Sequence, residues 1–238
     1  MTVTHRFLAA FSILALIALP LAPAHPQAAE RAPDTMAARV LACASCHGAE
    51  GEGTSDVYFP RLAGKPAGYL YNQLVAFRDG RRKYPPMNYL LDFMPDAYLK
   101  QISEHFASLR PPFPPPAVPT VSNDILARGE SIATSGDPQH GIPACAACHN
   151  STFGGMEPAI PGLLGLRASY ISAQLGGWRY GTRTALAPDC MQIIAGLLTE
   201  DDVKAVAAFL SSRPAPADPS FAKRGSLPMP LSCGSEPN

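Results

Sequence analysis

Two stretches of the chain carry apolar residues at helical spacing in the same register. Residues 67–79 set Leu70, Leu74 and Phe77 on one face, and residues 168–179 set Ile171, Leu175 and Trp178 on the matching face. A second pair lies further on. Leu99, Ile102 and Phe106 form one apolar stripe, and Val203, Val206, Ala207 and Leu210 form its counterpart. Thr199-Glu-Asp-Asp202 opens the latter with a capping-box pattern. Upstream of each set, Asp34 or Thr35, and then Ser122 or Asn123, can cap a further helix. Few Ile/Val-rich runs are present, so the pattern predicts an all-α protein with three to four short helices in each of two copies.

The copies are legible residue by residue. PRLAGKPAGYLYNQLVAFRDG (60–80) aligns with PGLLGLRASYISAQLGGWRYG (161–181) at a constant offset of 101. Pro60 falls on Pro161, Gly64 on Gly165, Tyr69 on Tyr170, Gln73-Leu74 on Gln174-Leu175, and Arg78 on Arg179. Between them runs LRPPFPPPAVPTVSN, which cannot continue a helix and is expected to act as a semi-rigid spacer. The expected organisation is a domain at 31–110, a linker at 111–121, a second domain at 122–213, and a tail at 214–238.

The first thirty residues, MTVTHRFLAAFSILALIALPLAPAHPQAAE, have a short cationic start, an apolar run and a small-residue end. That is the layout of a secretory signal peptide over 1–28, with cleavage near Ala24 or Ala28 and export to a periplasm. The competing reading, a membrane anchor, meets an apolar run shorter than the ~20 residues a spanning helix needs. Acidic and basic residues balance at 19 each, and no basic face for nucleic acid emerges. Arg81-Arg82-Lys83 is the one basic cluster. It reads as a solvated turn, as contacts to cofactor carboxylates, or as a docking patch for an acidic partner.

The chemistry lies in two pentads, CASCH at 43–47 and CAACH at 145–149. Cys-x-x-Cys-His serves a dithiol switch, half of a zinc site, or covalent haem attachment. A dithiol switch belongs after a strand in an α/β pattern, which is not visible. A four-cysteine zinc site leaves the histidine of each pentad unexplained. Haem c uses every position: Cys43 and Cys46, then Cys145 and Cys148, form thioethers, while His47 and His149 each offer an imidazole to iron. Helical units this small also have little core of their own, and a large apolar cofactor would supply much of it.

Aligning the last helices at an offset of 104 puts Met87 on Met191 and Met94 on Leu198. Met87 and Met191 are the candidate second iron ligands, each in a Pro-containing loop before the final helix, and Met94 reads as core. His105 and His140 have no counterpart in the other copy. Two cysteines remain, Cys190 and Cys233. In an oxidising compartment an even remainder points to a disulfide, which would pin the tail across the Met191 segment.

With these residues on the page, both halves resemble class I c-type cytochromes, and the tandem resembles the di-haem cytochrome c4 type. The resemblance spans roughly residues 31–213 and implies two haem domains related by pseudo-twofold symmetry. It further implies passage of single electrons between periplasmic or membrane-bound redox partners. It also implies that the Pro60 and Pro161 carbonyls accept a hydrogen bond from the pentad histidines. Two alternatives stay open: a haem subunit of a larger dehydrogenase or oxidase complex, and a di-haem peroxidase, which would need one iron without its methionine.

Overall fold

Ten α-helices and one 3₁₀ turn are present in a computed structural model that describes residues 33–55, 58–215 and 220–236. The leader-like stretch 1–28 lies outside the described residues. The first half contains α1 (Met36–Arg39), α2 (Leu41–His47), α3 (Ala67–Arg78), α4 (Pro85–Leu91) and α5 (Asp96–Ser108). The second contains α6 (Asn123–Ser135), α7 (Cys145–His149), α8 (Ala168–Arg179), α9 (Cys190–Leu197) and α10 (Glu200–Ser212). Extended pairing among the described residues is confined to isolated bridges.

Local chemistry sets several of these boundaries. Thr35 caps α1 by accepting from the Ala38 N–H at 3.2 Å, while Asp34 pairs with Arg39 instead. Thr199 and Asp202 close a reciprocal capping box on α10. Ser122 occupies the N-cap of α6, but its side chain makes no capping bond. Nor does α6 reach the second pentad. It stops at Ser135, and a 3₁₀ turn over Pro138–His140 separates it from α7. Five helices per half exceed the expected three to four, because α4 and α9 occupy segments read as loops. Pro85 and Pro86 stand at the first helical positions of α4, where a missing N–H costs nothing, and Asp189 caps α9.

The two cores differ in bulk. In the second half Ile132, Ile171, Leu175, Leu198, Val206, Phe209 and Leu210 belong to one continuous cluster. In the first half Val40, Leu70, Ile102 and Phe106 form one cluster, and Phe77, Leu91 and Leu99 form another. Met94 packs against both, in keeping with a core role.

Arg128 of α6 ties this second core together. It donates to Asp202 of α10 and to Asp137, both at 2.8 Å. Arg128 and His140 together hold the Asp137 carboxyl down at about 2. A carboxyl depressed in the folded state lends stability above its unfolded value, and that stability fades as pH falls through the folded value. Arg128→Met should therefore cost stability at neutral pH and flatten the acid limb between about pH 4 and pH 2. Denaturant midpoints measured across that range check the expectation.

The proline-rich linker packs against both halves. Arg61 donates to the carbonyls of Pro111 and Pro112 and stacks 4.3 Å from the Phe113 ring centroid, and the Ala117 N–H bonds the Ser211 carbonyl. Residues 34–238 form one compact unit. The halves meet through an antiparallel bridge between Arg82 and Arg183, flanked by Lys83 N–H to Thr182 carbonyl (2.8 Å) and Thr184 N–H to Arg81 carbonyl (2.7 Å). The basic 81–83 segment is thus an inter-half seam. Of its three residues, Arg81 and Arg82 are half-buried and Lys83 is exposed.

Candidate functional site

Helical spacing puts Cys43, Cys46 and His47 on one face of α2, and the single turn of α7 does the same for Cys145, Cys148 and His149. Each imidazole is 7% exposed. His47 Nδ1 lies 2.9 Å from the Pro60 carbonyl and His149 Nδ1 lies 2.8 Å from the Pro161 carbonyl. A carbonyl can only accept, so Nδ1 carries the proton and Nε2 keeps its lone pair for a metal. Burial, first of all, lowers the pKa of both rings and favours this neutral form.

A glycine in each half makes that contact possible. Gly53 (φ +85°) and Gly155 (φ +94°) donate to the carbonyls of His47 and His149 at 2.7 and 3.0 Å. A Cβ at Gly53 would sit 2.7 Å from the Arg61 nitrogen, and one at Gly155 would sit 2.7 Å from the Pro161 carbonyl carbon. Both therefore need glycine for the left-handed backbone and for the close approach. Sequence reasoning passed over them. Their offset of 102, the same as that of the pentads, was the available signal.

The thiols do not form a redox switch or a shared metal site. No disulfide joins the pentad cysteines to one another. Burial raises the thiol pKa of Cys43 and Cys148 and pushes Cys145 up to about 11, whereas a reactive dithiol needs a lowered one. The two pairs also open into different cavities.

The first cavity, of about 750 Å³, is lined by Cys43, Cys46, His47 and Met87, with walls that include Leu70, Leu74, Phe77, Leu91 and Phe106. Met94 lines it too. The second is lined by Cys145, Cys148, His149 and Met191, with Ile171, Leu175, Trp178, Ile194 and Leu210. It encloses less free space, about 170 Å³, and Leu231, Cys233, Ser235 and Glu236 of the tail form part of its wall. The sequence reading paired Met87 with the first pentad and Met191 with the second, and the structure brings each pair together. Both methionines, however, sit in the first turn of a short helix and not in a loop. Neither His105 nor His140 lines either of these two cavities, and His140 is paired with Asp137 at 2.9 Å.

The cavities share one wall. Lys65, Tyr69, Gln73, Tyr170, Gln174 and Arg183 line both. Arg82 donates to Gln73, Tyr170 and Gln174, and Arg183 answers with Gln174, Tyr69 and Gln73, at 2.7–3.2 Å throughout. Burial would raise the Tyr69 pKa, but Arg183, Arg82 and Lys65 outweigh it and lower it. Among the described residues no carboxylate pairs with Lys65, Arg82 or Arg183. Trp178 Nε1, on the second cavity's wall, is buried without a partner. Such a cationic seam with an orphaned donor calls for anions that the chain does not supply.

Those features fit haem c: an apolar slot, two thiols one helical turn apart, an oriented imidazole, a thioether in the same slot, and buried cations for the propionates. The tail completes the second slot. Cys190 and Cys233 are bonded, with Cα atoms 5.1 Å apart, as their pairing in the sequence suggested. Glu236, 6% exposed, accepts from the Ala159 N–H at 3.0 Å, and Asn72 of α3 donates to the Ser235 carbonyl at 3.0 Å.

Comparison with known proteins agrees. Residues 35–102 match the family described as cytochrome c. Fold and cavities together define a c-type cytochrome with two haem domains. A thiosulfate dehydrogenase electron acceptor from Thiomonas intermedia is 36% identical over 72% of this chain and 78% of its own. Cytochrome c4 from Pseudomonas aeruginosa is 34% identical over 73% of this chain and 84% of its own. Among solved structures, reduced cytochrome c4 from Pseudomonas stutzeri superposes with a TM-score of 0.64 at 28% identity, over 74% of this chain and 96% of that one. A thiosulfate dehydrogenase from Marichromatium purpuratum gives 0.66 at 34% identity, over 72% of this chain and 36% of that one. The chain belongs to the di-haem cytochrome c4 family. It binds two haem c groups covalently and acts in electron transfer with redox partners as a carrier, not an enzyme.

Proposed function

We propose that this chain is an exported, periplasmic carrier with one haem in each cavity. Cys43 and Cys46 attach the first, with His47 and Met87 as iron ligands. Cys145 and Cys148 attach the second, with His149 and Met191. The observation that carries this reading is the repeated set in each cavity: a carbonyl-tethered histidine, two thiols, and a methionine at the matching register of the two halves.

When bound, each haem supplies a one-electron iron couple. The chain's residues set its terms. The proline carbonyls fix the imidazoles and raise their basicity. The methionine sulfurs favour Fe(II). Apolar walls keep water out, and the cationic seam balances the propionates. A methionine in both cavities argues against a peroxidase, which needs an open iron. The Cys190–Cys233 bond supports an oxidising compartment, as the leader-like start does.

The relatives named as thiosulfate dehydrogenase electron acceptors favour a dehydrogenase of that kind as the donor. Oxidised protein mixed without air with a purified thiosulfate dehydrogenase and thiosulfate should take up one electron per haem at both sites. If dithionite reduces the protein but the enzyme with its substrate does not, the donor assignment is wrong. A general cytochrome c4 role between other partners would then take its place.

A further inference from the structure

A third cavity, of about 420 Å³, opens where the linker crosses from one half to the other. No pentad residue and neither candidate ligand methionine lines it. Its walls are residues 52–55 and 59–61 of the first half, 112–117 of the linker, and 165–167, Tyr170 and the end of α10 from the second. Its size falls within the roughly 300–1,000 Å³ of small-molecule sites.

The lining pairs flat apolar surfaces with positive charge. Five prolines, four of them from the linker, and the rings of Phe59 and Phe113 form the apolar part. Arg61, Arg167 and Arg213 supply the charge, against one carboxylate, Glu52. Among the described residues none of these four forms an ion pair. Arg61 is the buried member, 4% exposed. Its guanidinium donates to the carbonyls of Ala63, Pro111 and Pro112 and stacks on Phe113. Those partners are neutral, and three bonds leave two of its five N–H donors to spare. Arg61 also borders the first haem slot, but Pro112 and Phe113 line the third cavity and neither slot, so its charged end lies on the linker side. Arg167 reaches across the halves, with Nε 3.4 Å from the Thr54 carbonyl. Arg213 lies over the Phe209 ring at the end of α10. A buried guanidinium held by uncharged groups, with two exposed arginines on the same walls, is set for an anion.

We propose that this cavity binds a small organic anion, a flat aromatic body carrying one carboxylate or sulfonate. The anionic group takes the planar forks of the arginines, a match of geometry as well as charge. The ring system covers Phe113 and the prolines, which an inorganic oxyanion would leave bare. Gly53 and Pro60, which orient His47, belong to the same walls, so the ligand rests behind the first pentad without reaching its cofactor slot.

The test is calorimetric titration of the full-length holoprotein with naphthoate, naphthalenesulfonate, naphthylmethanol and sulfate. Both aromatic anions should bind at one per chain, with the uncharged alcohol and sulfate each about tenfold weaker or worse. Arg167 and Arg213 are exposed, so replacing both by Gln leaves the fold intact and should weaken naphthoate about tenfold. Arg61→Gln should weaken it further, with the visible spectrum and melting temperature recorded because Arg61 also braces the linker. If that variant fails to fold, the double variant decides alone. No binding of either aromatic anion at millimolar concentration overturns the proposal, as does an alcohol or sulfate that binds as tightly as naphthoate. Parent affinity in the double variant also overturns it, because the naphthyl ring would then sit on an exposed apolar surface such as Tyr89 and Phe93.

Discussion

Replacing Met191 by His lowers one of the two reduction potentials by on the order of 0.2 V, a fraction of the ~0.8 V that axial ligands command. It also removes about half of the near-infrared sulfur-to-iron band of the oxidised protein, and Met87→His removes the other half. The ground is the chemistry of the ligand. A thioether is soft and stabilises Fe(II), whereas a second imidazole stabilises Fe(III) relatively better. Each methionine lines the cavity of its own pentad, so each substitution should move a different haem. The rival in the first half is Met94, which lines the same cavity as Met87. Its backbone carbonyl accepts from Arg78 at 3.1 Å, and it packs against both first-half core clusters. Met94→Leu should leave the band intact. If Met94→Leu abolishes half of the band and Met87→His does not, the repeat register misassigned the ligand.

Serine at Cys190 or Cys233 is the second large effect. The bond closes a loop of sequence separation 43. Removing such a constraint from the unfolded chain costs on the order of 4 kcal/mol in the chain-entropy account. The tail also loses its covalent tie beside Met191 and keeps only contacts such as Glu236 to Ala159 and Asn72 to Ser235. The second haem's sulfur-to-iron band should therefore disappear at a lower denaturant concentration, while the first haem's loss stays nearly where it was. Reduction by dithiothreitol should reproduce the change in the parent protein. Identical midpoints for parent and variant would mean that the tail is held by its non-covalent contacts alone.

Much of this was legible in the chain because duplication supplies an internal alignment. The pentads, the Leu70/Ile171 and Phe106/Leu210 faces, the Met87/Met191 register and the Cys190–Cys233 pairing each needed only spacing and compartment logic. What escaped depends on two distant segments meeting. Arg81-Arg82-Lys83 reads equally as a solvated turn, as contacts to cofactor carboxylates or as a docking patch until residues 182–184 are laid against it. Lys65 looks like any exposed lysine until Gly162 of the other half closes over it. The helices holding the methionines look like loops in the sequence because Pro85 and Pro86 suit a turn as well as the first helical positions of α4, and Pro188 stands just before the Asp189 cap of α9.

The account stands or falls on how many haems the chain carries and where they are attached. A pyridine haemochrome assay on the purified protein, with mass analysis of its proteolytic peptides, reads both. The result expected is two haems c per chain, one thioether-linked through Cys43 and Cys46 and the other through Cys145 and Cys148. Pentad peptides at their unmodified mass, or a single haem on one peptide, would contradict it.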